Sequence, residues 1–260
     1  MRAAALQFRP ILGDVPGNLS TIERLVDGID AELIVLPELC LSGYELPDQQ
    51  EVARCAQAAM PSGDEVFARL TALAMRRRVV LVGGFAERAD GRVYNAAFVL
   101  GPSGPVGVYR KVHLFGDELR LFEPGDLGFP VFDLGGWCLG VMICFDWMFP
   151  EAARSLALAG ADVIAHPSNL VLPWCQEAVR TRALENGVYV ITANRVGTDR
   201  ALTFTGASQI VDPRGHLEGR APAVGDAVVL AELDLALARD KWVTPTNHRL
   251  ADRRPDQYRR

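Results

Sequence analysis

Two tight turns in the first half of the chain limit its fold more than any other feature. Val79-Val80-Leu81-Val82-Gly83-Gly84-Phe85 is a continuous apolar run, the pattern of a buried strand. Asp90-Gly91 then reads as a hairpin turn into Val93 to Leu100. Pro102-Ser103-Gly104 turns the chain again into Val106 to Tyr109. Ahead of these strands, residues 3–8 read as a strand ended by Arg9-Pro10. Ile22, Leu25, Val26 and Ile29 fall on one helical face, and Leu33-Ile34-Val35-Leu36 is a second strand. Residues 50–60 and 64–77 read as helices, the latter with Val66, Leu70 and Leu73 inward. A doubly wound sheet joins its strands through helices and has no need of the hairpins. A layered sandwich, with helices outside two mixed sheets, does need them.

The second half continues in the same manner. Val131-Phe132 and Trp137 to Ile143 form a strand pair around Gly135-Gly136. A helix opens at Pro150, and Ala161 to Pro167 is a strand. Gln176 to Asn186 is a helix with Gly187 as its C-cap, followed by the strand Val188 to Ala193. Ser208 to Val211, a turn at Asp212-Pro213-Arg214-Gly215, and Ala227 to Leu233 complete the strands before a short helix at Leu235 to Arg239. No linker, low-complexity run or solenoid repeat divides the chain. It reads as one domain over residues 1–260, with a polar C-terminal arm from about residue 242.

Composition excludes several classes of function. The net charge is −5, which argues against nucleic acid as a partner, since phosphate binding wants a basic face. No stretch approaches the ~18 apolar residues of a membrane helix, and the N-terminus does not read as a signal peptide. The five cysteines, Cys40, Cys55, Cys138, Cys144 and Cys175, are odd in number and include no CxxC pair, so no metal site or redox motif is indicated. A cytoplasmic protein with reduced thiols is expected.

Three residues stand out because each directly follows an apolar strand. Glu38 comes after Leu33–Leu36 and Pro37, at the carboxyl end where open α/β sheets place ligands. Lys111, one of only two lysines in an arginine-rich chain, follows Val106–Tyr109. Cys144 lies between an apolar run and the helix that opens at Pro150, near backbone N–H groups that can face an anion. Taken singly each has a plain alternative: a solvated loop acid, a surface lysine, a buried structural thiol. After Lys111 the chain has loop composition as far as Pro130, and loops of such length are often functional.

Together, these stretches resemble the nitrilase superfamily of carbon–nitrogen hydrolases. The resemblance rests on Leu36-Pro37-Glu38 with Gly43-Tyr44, on Tyr109-Arg110-Lys111-Val112-His113-Leu114-Phe115, and on Ile143-Cys144-Phe145-Asp146 with Pro150-Glu151-Ala152-Ala153-Arg154. Arg182-Ala183-Leu184-Glu185-Asn186 and Asn194-Arg195 extend it over nearly the whole chain. It implies a four-layer α-β-β-α sandwich, a Glu38–Lys111–Cys144 catalytic set, and a second glutamate at Glu118. It also implies a homodimer or larger assembly to which the C-terminal arm contributes.

The chemistry of these side chains suits amide hydrolysis. Cys144 is a nucleophile, Glu38 a general base, and Lys111 with the backbone N–H of Phe145 can hold an oxyanion. The expected substrate is a small carboxamide, cleaved to a carboxylic acid and ammonia through a cysteine thioester without metal or cofactor. Nitriles and N-carbamoyl compounds are the alternatives. Tyr44, Phe115, Phe145, Trp147 and Asn169 are expected around the substrate, with Phe149 and Trp174 as further aromatic candidates and Asn194 and Arg195 as further polar ones. Two other classes remain: a non-catalytic relative that uses the fold for binding, and a Cys–His hydrolase that uses His113.

Overall fold

The computed structural model describes residues 1–58 and 64–258. Strand β1 (Arg2–Gln7), helix α1 (Val15–Asp27) and strand β2 (Leu33–Val35) are followed by α2 (Gln49–Cys55), β3 (Gln57–Ala58) and α3 (Glu65–Arg77). The expected hairpins come next as β4 (Val80–Ala89), β5 (Arg92–Gly101) and β6 (Gly104–Arg110). One turn of helix, α4 (Glu118–Leu121), interrupts the long loop before β7 (Val131–Asp133) and β8 (Cys138–Val141). Then come α5 (Pro150–Leu158), β9 (Val163–Ser168), α6 (Cys175–Asn186) and β10 (Tyr189–Asn194). A two-residue hairpin, β11 (Thr198–Asp199) and β12 (Leu202–Thr203), precedes β13 (Gln209–Val211), β14 (Leu217–Arg220), β15 (Ala227–Glu232) and α7 (Leu235–Arg239). The short pair β16 (Trp242–Thr244) and β17 (Asn247–His248) ends the list of strands.

Two mixed sheets form the centre. One runs β15-β1-β2-β4-β5-β6 with β3 on the far part of β4, and the other runs β14-β13-β10-β9-β8-β7. Alternation along the strands makes the layers. Ala3 and Ala5 of β1, Leu33 and Val35 of β2 and Val80 and Val82 of β4 face the second sheet. Ala4, Leu6, Ile34 and Leu81 face outward onto Ile22 and Val26 of α1 and Leu70 and Leu73 of α3. Across the sandwich, α5 and α6 cover the second sheet with Ala153, Leu156, Val179 and Ala183. This is the four-layer α-β-β-α arrangement. At the centre, β1 packs against β10, and β2 and β4 against β9. The strands that carry Glu38, Lys111 and Cys144 therefore all end near the junction of the sheets.

Some elements depart from the sequence reading. The helix expected over residues 50–60 stops at Cys55, where Ala56 is extended. Gln57 and Ala58 instead pair with Glu87 and Arg88, because β4 runs past the end of β2 and leaves that edge open. Residues 59 and 60 of the expected helix lie outside the described residues. In α3 the inward position next to Leu70 belongs to Phe67, which meets Phe85 and Phe98 edge-on; Val66 is only half-buried. The expected extended arm folds back as the β16–β17 hairpin, and Arg249 donates to the carbonyls of Leu184 and Pro213.

Candidate active site

Glu38 is placed by backbone contacts with β4. Leu36 N–H donates to Val82 O at 2.7 Å, Gly84 N–H to Pro37 O at 2.9 Å, and Cys40 N–H to Gly84 O at 2.8 Å. The chain thus follows β4 beyond the end of β2. Gly84 permits this approach, because a Cβ there would stand 2.4 Å from the Cα of Glu38. Lys111 is placed from the next hairpin: its N–H donates to Asn95 O, and its carbonyl accepts from Gly125 N–H, both at 2.8 Å.

The side chains then meet in a buried cluster. Lys111 Nζ donates to Glu38 Oε1 and to Glu118 Oε1, each at 2.7 Å. Asn95 Nδ2 donates to Glu38 Oε1 at 2.8 Å and to Glu118 Oε2 at 3.3 Å. The Tyr44 hydroxyl donates to Glu118 Oε1 at 2.6 Å. Glu38 and Lys111 are fully inaccessible to solvent, and Glu118 is 3% exposed. Glu38 Oε2 has no hydrogen-bond partner among the described residues. Burial pushes the Glu38 carboxyl up to about 7, with Lys111 opposing the rise and Glu118 adding to it. Burial also works against the charge on Lys111, but Glu118 and Glu38 outweigh it and hold the ammonium above the ordinary lysine range.

Cys144 stands where the second sheet gives way to helix. After β8, Met142 N–H still bonds Ala165 O, and Cys144 then takes a left-handed φ of 41° as the first residue of a 3-10 turn through Met148. Such a φ is uncommon for a residue with a Cβ and is typical of strained functional turns. Asp146 fixes the turn. Its carboxylate accepts from Ile143 N–H at 2.8 Å, His113 N–H at 3.1 Å and Tyr109 OH at 2.7 Å, and meets His113 Nδ1 at 2.8 Å. From below, His166 Nε2 donates to the Cys144 carbonyl at 3.0 Å. Burial holds the His166 ring down to about 4, so it is neutral at physiological pH. Burial and Glu38 push the Cys144 thiol well above its ordinary range, opposed by Lys111 and by the backbone N–H of Asn169.

Of the residues expected around a substrate, Phe115, Phe145, Trp147 and Asn169 line a cavity with Cys144. Its volume of 20 Å³ is about what a single water requires on this measure. Tyr44 lines a separate, larger cavity of 550 Å³ with Phe115 and Glu118. Asn169 also holds Glu38, because its Nδ2 donates to the backbone carbonyl of Glu38 at 2.9 Å. Asn194 and Arg195 serve the fold instead. Asn194 Oδ1 accepts from Leu170 and Arg195 N–H, and the Arg195 guanidinium is buried against Asp199. Phe149 is stacked on His113, and Trp174 is exposed. Among the described residues, no group of three or more His, Cys, Asp or Glu side chains could hold a metal ion.

Sequence reasoning passed over Asn95, Asp146 and His166. Asn95 is a polar residue inside the apolar run Val93 to Leu100, and that break in the pattern is a signal. His166, in Ala161 to Pro167, offers the same signal. Asp146 lay in a quoted motif, but nothing in its spacing says that it receives donors from two separate segments.

A profile of the carbon-nitrogen hydrolase family matches residues 2–241. A protein named nitrilase from Pyrococcus abyssi is 46% identical over 261 residues, covering 99% of each chain. An N-carbamoylputrescine amidase from Solanum lycopersicum is 33% identical over 98% of this chain and 93% of its own. Among solved structures, a variant of the amidase from Nesterenkonia sp. AN1, with the acetamide moiety of fluoroacetamide added covalently at its active-site cysteine, superimposes with a TM-score of 0.81. It has 25% identity and covers 98% of this chain and 94% of that one. With profile, sequence relatives and fold in agreement over nearly its full length, the chain belongs to the carbon–nitrogen hydrolase family of the nitrilase superfamily.

Proposed function

We propose that this carbon–nitrogen hydrolase acts on a small carboxamide, with Cys144 as nucleophile, Glu38 as general base, Lys111 as oxyanion donor and Glu118 as the carboxylate that orients Lys111. The observation that carries the reading is the ammonium of Lys111 held between Glu38 and Glu118, at 2.7 Å from each. Such a cation has its direction fixed before any substrate arrives, the condition under which electrostatic stabilisation is largest. The N–H of Phe145, second in its 3-10 turn, is one of the donors that helix geometry leaves free, and it is the second oxyanion donor.

The reaction proceeds in two halves. Cys144 Sγ bonds the amide carbon while its proton passes to the unpartnered Oε2 of Glu38. The oxyanion forms against Lys111 and Phe145 N–H. Collapse breaks the C–N bond, and Glu38 returns the proton to the departing nitrogen, which leaves as ammonia. A thioester remains. Glu38 then takes a proton from water, hydroxide adds to the thioester, the C–S bond breaks, and the proton goes back to sulfur. The sum is amide plus water giving acid plus ammonia. Each oxyanion donor is worth on the order of 3 kcal/mol and the proton carrier about 10²–10⁴-fold.

The small space at Cys144 supports a compact acyl group. A nitrile meets the same cysteine, and the relative named nitrilase supports that second reading. The N-carbamoyl group also presents a carbonyl bearing NH₂, and it too has a relative behind it. The test is kcat/KM for matched amide, nitrile and carbamoyl substrates after EDTA treatment, with mass spectrometry of the enzyme during turnover. We expect the amide to lead and an acyl adduct on Cys144, absent from Cys144→Ala together with all turnover. A nitrile preferred over its amide would replace the substrate assignment; turnover by Cys144→Ala would remove the mechanism.

The proposal extends to assembly and compartment. Exposed Leu158, Leu184, Trp174, Trp242 and Val243 on α5, around α6 and on the C-terminal hairpin support a homodimer or larger, which sedimentation equilibrium tests. All five cysteines are unpaired, which supports a reducing cytoplasm.

A further inference from the structure

Phe115 lines both the cavity of 550 Å³ beside the cluster and the one at Cys144, so the larger cavity adjoins the nucleophile's. Its charged lining is almost entirely paired. Glu118 is held by Lys111, Asn95 and Tyr44. Glu45 accepts from the N–H groups of Ala201 and Leu202, each at 2.9 Å. Asp117 pairs with Arg120 at 3.2 Å. The exception is Arg200, an exposed guanidinium with no ion pair among the described residues.

The backbone singles out the same residue. Arg200 and Ala201 form the two-residue loop of the β11–β12 hairpin, where Asp199 pairs with Leu202. Hairpins of this length need positive φ in the loop and strongly favour glycine or asparagine there. Arg200 occupies the position at a φ of 40°. A long cation thus stands in an unfavourable conformation, on the wall of this cavity, with no ion-pair partner among the described residues to account for it. An outlier of this kind is a pointer to function.

We infer that Arg200 is a specificity residue that selects amides whose far end carries a carboxylate. This rests on the amidase reading above and narrows it. The guanidinium presents a planar fork matched to a carboxylate, and the Phe115 wall accommodates the methylenes between the two ends.

The experiment compares the monoamide of a short dicarboxylic acid with the neutral amide in which a methyl group replaces the carboxylate, on wild type, Arg200→Gly, Arg200→Lys and Arg200→Glu. Wild type should favour the anionic amide by about tenfold in kcat/KM, the size of one charge-assisted hydrogen bond. Arg200→Gly should bring the two to parity by raising KM for the anionic amide alone, with kcat and the neutral amide unchanged. Arg200→Lys should keep part of the preference and Arg200→Glu should invert it. Thermal stability of Arg200→Gly should rise, because glycine suits the loop, so lost preference cannot be ascribed to a damaged hairpin. Equal turnover of both amides by wild type, or equal loss of both in Arg200→Gly, overturns the inference and leaves the amidase reading intact. Absence of turnover with every amide overturns the amidase reading and this inference with it.

Discussion

The carboxylate of Asp146, two residues after Cys144, accepts a 2.7 Å hydrogen bond from the hydroxyl of Tyr109, two residues before Lys111. Cys144 and Lys111 follow strands of different sheets, and this buried bond ties one segment to the other. The same carboxylate takes the N–H of Ile143 and of His113, so it holds both segments by their backbones as well.

Removing the two ends of this tie should have unequal effects. Tyr109→Phe loses the bond to Asp146 and the 3.2 Å bond that its hydroxyl accepts from Val112 N–H, and should lower stability by about 1–3 kcal/mol, with kcat falling more than KM rises. Asp146→Ala leaves several buried donors without an acceptor, at about 1–3 kcal/mol each. It should unfold at far lower urea concentration than Tyr109→Phe. Urea melts and steady-state kinetics check both. A Tyr109→Phe enzyme with full kcat would show that the tie does not set the geometry of attack.

His113 separates this mechanism from a Cys–His hydrolase. Its Nδ1 is on Asp146, and its ring lies flat on Phe149 with centroids 3.7 Å apart. The groups that act on the Cys144 thiol are Glu38, Lys111, Glu118 and the Asn169 N–H. His113→Asn keeps an amide donor for Asp146 and should reduce kcat only modestly, well short of the ~10²–10⁴-fold that loss of a general base brings. A loss of that full size would reinstate the imidazole as the base.

Gly84 should be intolerant of even one methyl group. A Cβ there would stand 2.4 Å from both Glu38 Cα and Leu39 N, which are backbone atoms that cannot turn aside. Gly84→Ala should cost about 1–3 kcal/mol by overpacking and shift Glu38 away from Lys111, so activity should fall beyond what the lost stability explains. Thermal melts beside kcat measured well below the transition test this.

Most of the fold was legible because its strands are apolar runs bounded by turn residues, as at Val79–Phe85 and Asp90-Gly91. What escaped was short or polar. Leu217–Arg220 has too little apolar character to announce β14, and Gln57–Ala58 becomes a strand only because β4 offers an unpaired edge. At the site, the positions of Glu38, Lys111 and Cys144 after apolar strands were readable, and Glu118 was available only through resemblance. The bonds that hold them were not. Asn95 bridges Glu38 and Glu118 from β5, and Asn169 reaches a carbonyl 131 residues away. Such contacts depend on tertiary distance, which no local spacing encodes. Tyr44 shows the same limit: it lines the larger cavity, and that its hydroxyl also holds Glu118 was not readable from the sequence.

The pH dependence tests the charge arrangement itself. In the proposed mechanism Glu38 acts as a base only when ionised, and burial, opposed by Lys111 and aided by Glu118, raises its carboxyl to about 7. Wild-type kcat/KM should therefore fall as pH drops through about 7. Glu118→Gln removes a neighbouring negative charge that favours the protonated form. Its acid limb should move to lower pH, while its plateau drops because Lys111 loses an ion-pair partner. Lys111→Met removes the charge that opposes the rise, so any residual activity should need higher pH. Glu123→Gln, at an exposed position, should leave the limb in place. Stability carries the same sign. The folded protein holds the Glu38 proton more tightly than the unfolded chain, whose carboxyl titrates near 4.5, so stability present below 4.5 is lost as pH rises through about 7. Glu38→Gln, neutral throughout, should gain on wild type over that interval and hold its advantage above it. Profiles of kcat/KM and urea midpoints across this range decide the matter. An acid limb that stays put in Glu118→Gln, or moves to higher pH, would mean that the two carboxylates do not share the electrostatics that their common bond to Lys111 implies.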